Sequence, residues 1–447
     1  MAPREAHDDA AASAPASTLP GLWKYPSHRE DDSPVTGESY MDSRRRDDGA
    51  EGLWRVHDKL YDLEDFVKRH PGGEHWLRST KGTDITELFE SHHLTGRAPE
   101  LLARFAVRDA TQPRNSPYTF HDDGFFRTLK RRAAPVLAAT PDPGFAPRFN
   151  DALVAASFAC AGLGAAVAEG AGAWLLVALA ALFVSWSAVC AHNFTHRRDN
   201  WRMYYKSLCF MSLSEWRVSH IFSHHMYPNT LLDIEISMHE PLLQFLPTAG
   251  KPLVFKVASF GVFTMYAASA LFLGLRHRVS RIRLEDFLPL LYLAVMVLCG
   301  APFLTALAMW LFLWVVHSLI FHFIGLTAAH HHPDIFHDGD APREDRDWGL
   351  GQLDAVRDRA DHGGSRFRVL TSYGDHALHH LFPTVDHCRL PALYPVFNQT
   401  LADFGVEYRF STTWELFVGA FRQLARTEPN TRPPAKLIAL GHALRAE

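Results

Sequence analysis

The chain has 447 residues, enough for about three domain-sized units. Its 45 basic and 49 acidic residues nearly cancel, which leaves no electrostatic footprint for nucleic acid, and its five dispersed cysteines suggest neither a disulfide framework nor a thiolate metal site. Histidine is the excess, at 27 copies, and the mean hydropathy of -0.10 averages a charged N-terminal part with a middle of long apolar runs.

Residues 1–50 are rich in Ala, Pro, Ser, Asp and Arg and have little to bury. They are expected to be a disordered N-terminal segment, with Trp23 and Tyr25 docking locally. Residues 1–20 lack the basic-then-apolar profile of a signal peptide, so a reducing, cytosol-facing protein fits.

Residues 51–110 read as a compact soluble module. Trp54 to Leu63 form short strands joined by a turn, Asp62 caps a helix through Val67, and His70-Pro71-Gly72-Gly73 ends it. The paired glycines let the backbone approach a flat ligand closely. A second pair, His92-His93, follows the stretch Asp84 to Glu90. Two histidines from separate turns across an apolar slot meet the requirement of bis-imidazole haem ligation. The segment resembles cytochrome b5, whose signature is His-Pro-Gly-Gly followed by a second axial histidine in an Asp-Ala-Thr…Phe…His stretch. That resemblance implies an α+β haem domain binding haem b through His70. Counted from Phe89, the spacing in desaturase-fused members puts the second ligand at His93; in free cytochrome b5 the gap is one residue longer, and His92 fits less well. His57 and His75 are expected at the surface.

Residues 111–150, proline-punctuated and basic at Lys130, Arg131 and Arg132, read as a linker and an interfacial helix. Two apolar runs follow, about 151–168 and 173–191, each close to the ~20 residues a bilayer span needs. The short Glu169-Gly170-Ala171-Gly172 linker makes them a hairpin with both outer ends on one side. Arg148 flanks one end and Arg197, Arg198 and Arg202 the other, which puts that side in the cytosol. Phe287 to Leu326, broken near Gly300-Ala301-Pro302, gives a second hairpin. The run 252–275 precedes four arginines within 276–283 and is read as interfacial or re-entrant, for a total of four spans. On this count everything that carries histidine clusters faces the cytosol.

Those clusters are three: His192 and His196; His220, His224 and His225; and His376, His379 and His380. On an α-helix His220 and His224 share one face, with His225 beside them. Imidazole this dense is poor core material, because every ring brings a polar edge, but it is a good set of neutral nitrogen donors. Eight ligands are too many for one ion, so two metals are implied, and the lack of carboxylates and thiolates argues against calcium and structural zinc. An imidazole-only dinuclear site with a one-electron haem donor on the same chain points to two non-haem iron ions and dioxygen.

Residues from about 150 to 400 resemble the membrane fatty acid desaturases, whose three histidine boxes match these clusters in order, with a hairpin between the second and third. The order of modules resembles the front-end desaturases, and the whole chain looks most like the cytochrome b5-related desaturase-like proteins. The resemblance implies an all-α membrane domain over 151–425 with a cytosolic histidine-rich cap, then a tail at 426–447. It also implies a lipid acyl substrate (acyl-lipid or acyl-CoA), and electrons that reach the b5 module from cytochrome b5 reductase or a similar NAD(P)H-dependent donor. Location is expected in the endoplasmic reticulum membrane if the source is eukaryotic. A hydroxylase on the same site, or a non-catalytic electron-transfer or scaffold protein, are the alternatives. The third box begins with His376, where front-end enzymes usually have Gln, and the first reads His192-Asn193 rather than His-Asp. Acyl-CoA desaturases add an Asn-x-x-x-His element after the fourth span; Leu326 to His330 keeps the histidine and loses the asparagine, making His330 a ninth candidate ligand, with His331 and His332 as alternatives to it or as partners that orient the ligands. Trp216, Arg217, Asn229, Thr230, Asp233, Glu235 and Asp375 are expected around the ligands. His317, His322 and His337 are read as ordinary satisfied histidines.

Overall fold

Thr36 and Ser39 cap each other's backbone at the start of the first helix, α1 (Gly37–Asp47), with Thr36 Oγ1 accepting from Ser39 N–H at 3.1 Å and Ser39 Oγ from Thr36 N–H at 2.9 Å. This computed structural model describes residues 17–30, 35–94, 96–237, 240, 243–249, 251 and 283–434. Over the described part of 17–50 it overturns the expectation of disorder. Composition alone misses why: the segment's polar groups find partners on other elements. Asp47 accepts from Ser27 N–H and Oγ–H, Arg44 pairs with Asp48, and Arg44 also donates to Tyr227 Oη at 3.0 Å. Tyr40 and Met41 bury against Val218, Ile221 and Phe222. Trp23 donates to the Arg114 carbonyl at 3.2 Å, although its ring stays exposed.

Strands β1 (Trp54–Val56), β2 (Lys59–Tyr61) and β3 (Ala106–Asp109) form an antiparallel sheet in the order β1-β2-β3, with Trp54 opposite Tyr61. A 3-10 turn at Glu64–Arg69 leads into the His70 loop, and helices α2 (Glu74–Thr80), α3 (Thr86–His92) and α4 (Arg97–Leu102) complete the module. Trp54, Leu63, Val67, Leu77 and Ile85 make its small core.

Helix α5 (Phe125–Ala139) corrects the interfacial expectation for 111–150. Its apolar face, Phe125, Phe126, Leu129, Ala133 and Leu137, is buried in the main core with Trp348, Leu378, Phe382 and Phe397. Lys130 reaches the Glu90 carbonyl at 2.7 Å. An amphipathic stripe has the same pattern whether its partner is lipid or protein, and here protein covers it.

Helices α6 (Phe145–Val167) and α7 (Gly170–Thr195) form the expected hairpin and pack closely through small side chains; a Cβ on Gly164 would stand 2.9 Å from the Ala173 carbonyl. Among the described residues three helices are long and apolar enough to cross a membrane: α6, α7 and Phe303–Leu326. The fourth expected span is shorter. Its regular part is Leu290–Leu298, after a 3-10 turn at Leu284–Phe287 and Pro289. It still packs on α6, where Tyr292 stacks on Phe158 at 4.1 Å and meets Ser157 Oγ at 2.6 Å. The stretch 252–275 and Arg276, Arg278 and Arg281 lie outside the described residues. The flanking Lys251 reaches the Leu424 carbonyl in the histidine cap, and Arg283 lies near His75.

Candidate metal centre and haem slot

In the N-terminal module each candidate axial ring is held by the backbone of its own turn. His70 Nδ1 lies 3.0 Å from the Gly73 carbonyl and His93 Nδ1 3.0 Å from the Phe89 carbonyl. Each bond places the proton on Nδ1 and leaves Nε2 as a lone pair. The ring centres are 6.3 Å apart, between Phe66 and Phe89. With metal–nitrogen distances of about 2.0–2.1 Å, two rings sharing one iron present centres roughly 6 Å apart. The slot fits haem. His92 turns away, meeting Ser91 Oγ at 2.9 Å and the Trp76 ring at 5.4 Å, and burial then the neighbouring His93 hold it down at about 3. His75 is half-buried rather than at the surface, and burial, then Arg217, hold it down at about 4.

The second histidine box departs from α-helical geometry. Arg217–His224 is a π-helix, and the His225 N–H donates to the His220 carbonyl at 2.8 Å, one residue further back than in an α-helix. The wider turn changes which rings associate. His220 and His225 join His192, His196 and His379 in one set whose ligand atoms lie within 4.8 Å of one another, while His224 joins His330 and His380 in another. His376 Nε2 stands 2.7 Å from His330 Nε2, beside the second set. All nine side chains are buried. The structure thus brings every candidate residue of the three boxes and His330 together; His220 and His224 fall in different larger sets but still share a face, with rings stacked 5.4 Å apart and grouped with Glu235.

Hydrogen bonding cannot satisfy this arrangement. His192 Nε2 lies 2.6 Å from His220 Nε2, 3.0 Å from His196 Nε2 and 3.1 Å from His379 Nε2. A neutral ring nitrogen offers one proton or one lone pair, not three contacts. Burial, reinforced by imidazole neighbours, holds His220, His225, His330, His379 and His380 well below the usual histidine range, so these rings are neutral. Converging neutral nitrogens in a buried space fit metal cations.

The far sides of five of the nine rings are held too. His220 Nδ1 meets Glu235 Oε1 at 2.9 Å, His224 Nδ1 meets Asp233 Oδ2 at 2.8 Å, and His330 Nδ1 meets the Ala355 carbonyl at 3.0 Å. Burial opposes protonation of His224, but Asp233 and Glu235 outweigh it and raise it to about 9. Sequence reasoning missed Gln352, whose Oε1 lies 2.9 Å from His380 Nδ1, and His387, whose Nε2 lies 2.9 Å from His379 Nδ1. His387 carried a signal, a further histidine just beyond the third box; Gln352 carried none. Asn193 donates to Asp386 and its Oδ1 accepts from the His387 N–H, which ties the first box to the same support. Trp216 stacks on His220 at 4.4 Å, and Asn229 donates to the His330 carbonyl at 3.1 Å. Three expected neighbours bond elsewhere: Asp375 accepts from Tyr394, Arg217 pairs with Asp199, and Thr230 donates to the Tyr227 carbonyl. His317 meets Ser185, and His322 meets the Ser318 carbonyl while lining the cavity beside the second set.

A cavity of about 280 Å³ opens on the second set; its lining includes His220, His224, His330 and His376 together with the apolar Phe210 and Phe321.

Two family models match the chain: "Cytochrome b5-like Heme/Steroid binding domain" over residues 41–111 and "Fatty acid desaturase" over residues 169–412. The chain belongs to the fatty acid desaturase family, with a cytochrome b5-like domain fused at its N-terminal side. It is 42% identical over 431 residues to "Cytochrome b5-related protein" of Drosophila melanogaster, an alignment covering 92% of this chain and 96% of that one. "Acyl-lipid (8-3)-desaturase" of Mortierella alpina is 23% identical over 432 residues, 83% of this chain and 92% of that one. "Cytochrome b5-related protein" of Drosophila virilis is 50% identical over 109 residues, 24% of this chain and 75% of that one. No solved structure matches.

Proposed function

We propose that this protein is a membrane-bound acyl desaturase that introduces a double bond into a lipid acyl chain, with dioxygen as oxidant and the fused haem domain as electron donor. The observation that carries the reading is the pair of buried histidine sets, His192, His196, His220, His225 and His379 beside His224, His330 and His380, at the wall of a partly apolar cavity. They would hold two non-haem iron ions, with His376 beside the second. When bound, such iron supplies the oxidising power to break an unactivated C–H bond. The protein's own part is placement and exclusion. Phe210 and Phe321 give the cavity apolar wall for an acyl chain, and the nine histidine side chains are buried. Asp233, Glu235, Gln352 and His387 fix ring orientation through the far nitrogens, which also raises the basicity of the donating ones. His70 and His93 would hold haem b, reduced by an NAD(P)H-dependent reductase. The haem module and the cap would face the cytosol, on the endoplasmic reticulum in a eukaryote.

The test is lipid profiling of a desaturase-deficient host expressing the chain, beside iron and haem content of the purified protein. A new double bond that disappears in His379→Ala is expected. A hydroxylated product instead, or bound iron with no oxygen consumption on any acyl lipid, would overturn the reading.

A further inference from the structure

The loop that carries one candidate haem ligand is bonded directly to the loop that follows the first histidine box. The Asp199 N–H donates to the Gly72 carbonyl at 2.9 Å. Gly72 stands two residues after His70, and Asp199 three residues after His196. The approach leaves no room for a side chain on Gly73, where φ is +115° and a Cβ would meet Asp199 Oδ2 at 2.1 Å. Arg217 reinforces the contact from the π-helix: its guanidinium pairs with Asp199 Oδ1 at 2.7 Å and lies 4.9 Å over the Trp76 ring. Trp76 in turn meets Phe222, inside the second box, at 5.8 Å. On the opposite flank α1 brackets both modules, with Tyr40 Oη donating to the Phe222 carbonyl and Arg45 donating to the carbonyls of Ser79 and Lys81.

Resting on the desaturase reading above, we propose that this junction is the electron route. The His70 turn is docked in place, and the electron leaves it through the Gly72 carbonyl and the Asp199 N–H toward His196. One haem iron goes from ferrous to ferric as one non-haem iron goes from ferric to ferrous; each electron is replaced by the NAD(P)H-dependent reductase. Arg217 and Trp76 are positioning residues: they touch neither iron and hold the two loops at hydrogen-bond distance. The physical reason for a fixed dock is that a donor and acceptor held in one geometry need no encounter step, and small displacements of reacting groups are expensive in rate.

The experiment uses the full-length protein loaded with haem and ferric non-haem iron, under anaerobic conditions. A flash-activated donor reduces the haem, and decay of the ferrous haem spectrum is followed. Arg217→Met and Trp76→Leu should slow that decay by about tenfold or more, with the haem spectrum and iron content unchanged. Arg217→Lys, which can still reach Asp199, should recover most of the rate. Hydrogen exchange across residues 70–76 should rise in the slowed variants, a readout that does not depend on turnover. Trp76→Leu lies on the haem module, so it keeps the test sharp if Arg217→Met does not fold. Decay at the unsubstituted rate in both variants would overturn the route while leaving the metal centre standing. No decay in the unsubstituted protein would remove the metal-centre reading, and the route with it.

Discussion

The haem slot and the histidine cap use the same side chain and assemble it in opposite ways. In the slot, each ring is oriented by a carbonyl of its own turn, Gly73 for His70 and Phe89 for His93. In the cap, rings from segments as distant as His192 and His380 meet in one buried volume, and four of the nine are oriented by side chains from elsewhere: Glu235, Asp233, Gln352 and His387. The slot is therefore a local device that depends on a short stretch of backbone. The cap is a cooperative one, in which removing a ring or its support disturbs partners far along the chain.

The largest effect expected from that contrast is at His192, which stands within 3.1 Å of three other ring nitrogens. His192→Ala should lose iron and product together and lower thermal stability, because metal binding and ordering are coupled; iron analysis and thermal melts check both. In the slot, loss should be complete but confined. His93→Ala should abolish the low-spin reduced haem spectrum while the iron content of the cap stays as it was, and His92→Ala should keep the spectrum. If His92→Ala destroys it and His93→Ala does not, the slot is misassigned. Smaller effects are expected at the supports. Asp233→Asn keeps the shape beside His224 and removes the charge, and should weaken metal retention about 10–100-fold, read by chelator competition. The smallest is His376→Gln. The His376 ring touches His330 beside the second set, and glutamine can still offer a carbonyl oxygen there. Iron and product should fall less than in His379→Ala, and an equal loss would show that His376 is as central as the rest.

Much of the haem slot was legible because its signals are local. His-Pro-Gly-Gly announces a turn with close backbone approach, and the Gly73 backbone at φ +115° meets that demand. The α6–α7 hairpin was legible for a similar reason: two apolar runs with a four-residue break allow one arrangement. The shorter Leu290–Leu298 helix was not, because hydropathy measures composition and cannot see the 3-10 turn that precedes it. The α5 helix failed on the same ground, since its apolar stripe does not say what will cover it.

By itself the sequence determined the chemistry available: which donors exist, their order, and that a haem-type turn precedes three imidazole clusters. Only the tertiary structure decided how they divide. In the π-helix at Arg217–His224, His220 and the following His225 enter one five-histidine set and His224 joins His330 and His380, while His220 and His224 also meet at Glu235, a division that no residue pattern displays. It likewise decided that Gln352 and His387 stand behind two of the rings, and that the described part of residues 17–50, poor in apolar residues, finds its partners scattered over the chain. Each of these rests on contacts between residues far apart in sequence, and such contacts form only once the whole chain has packed.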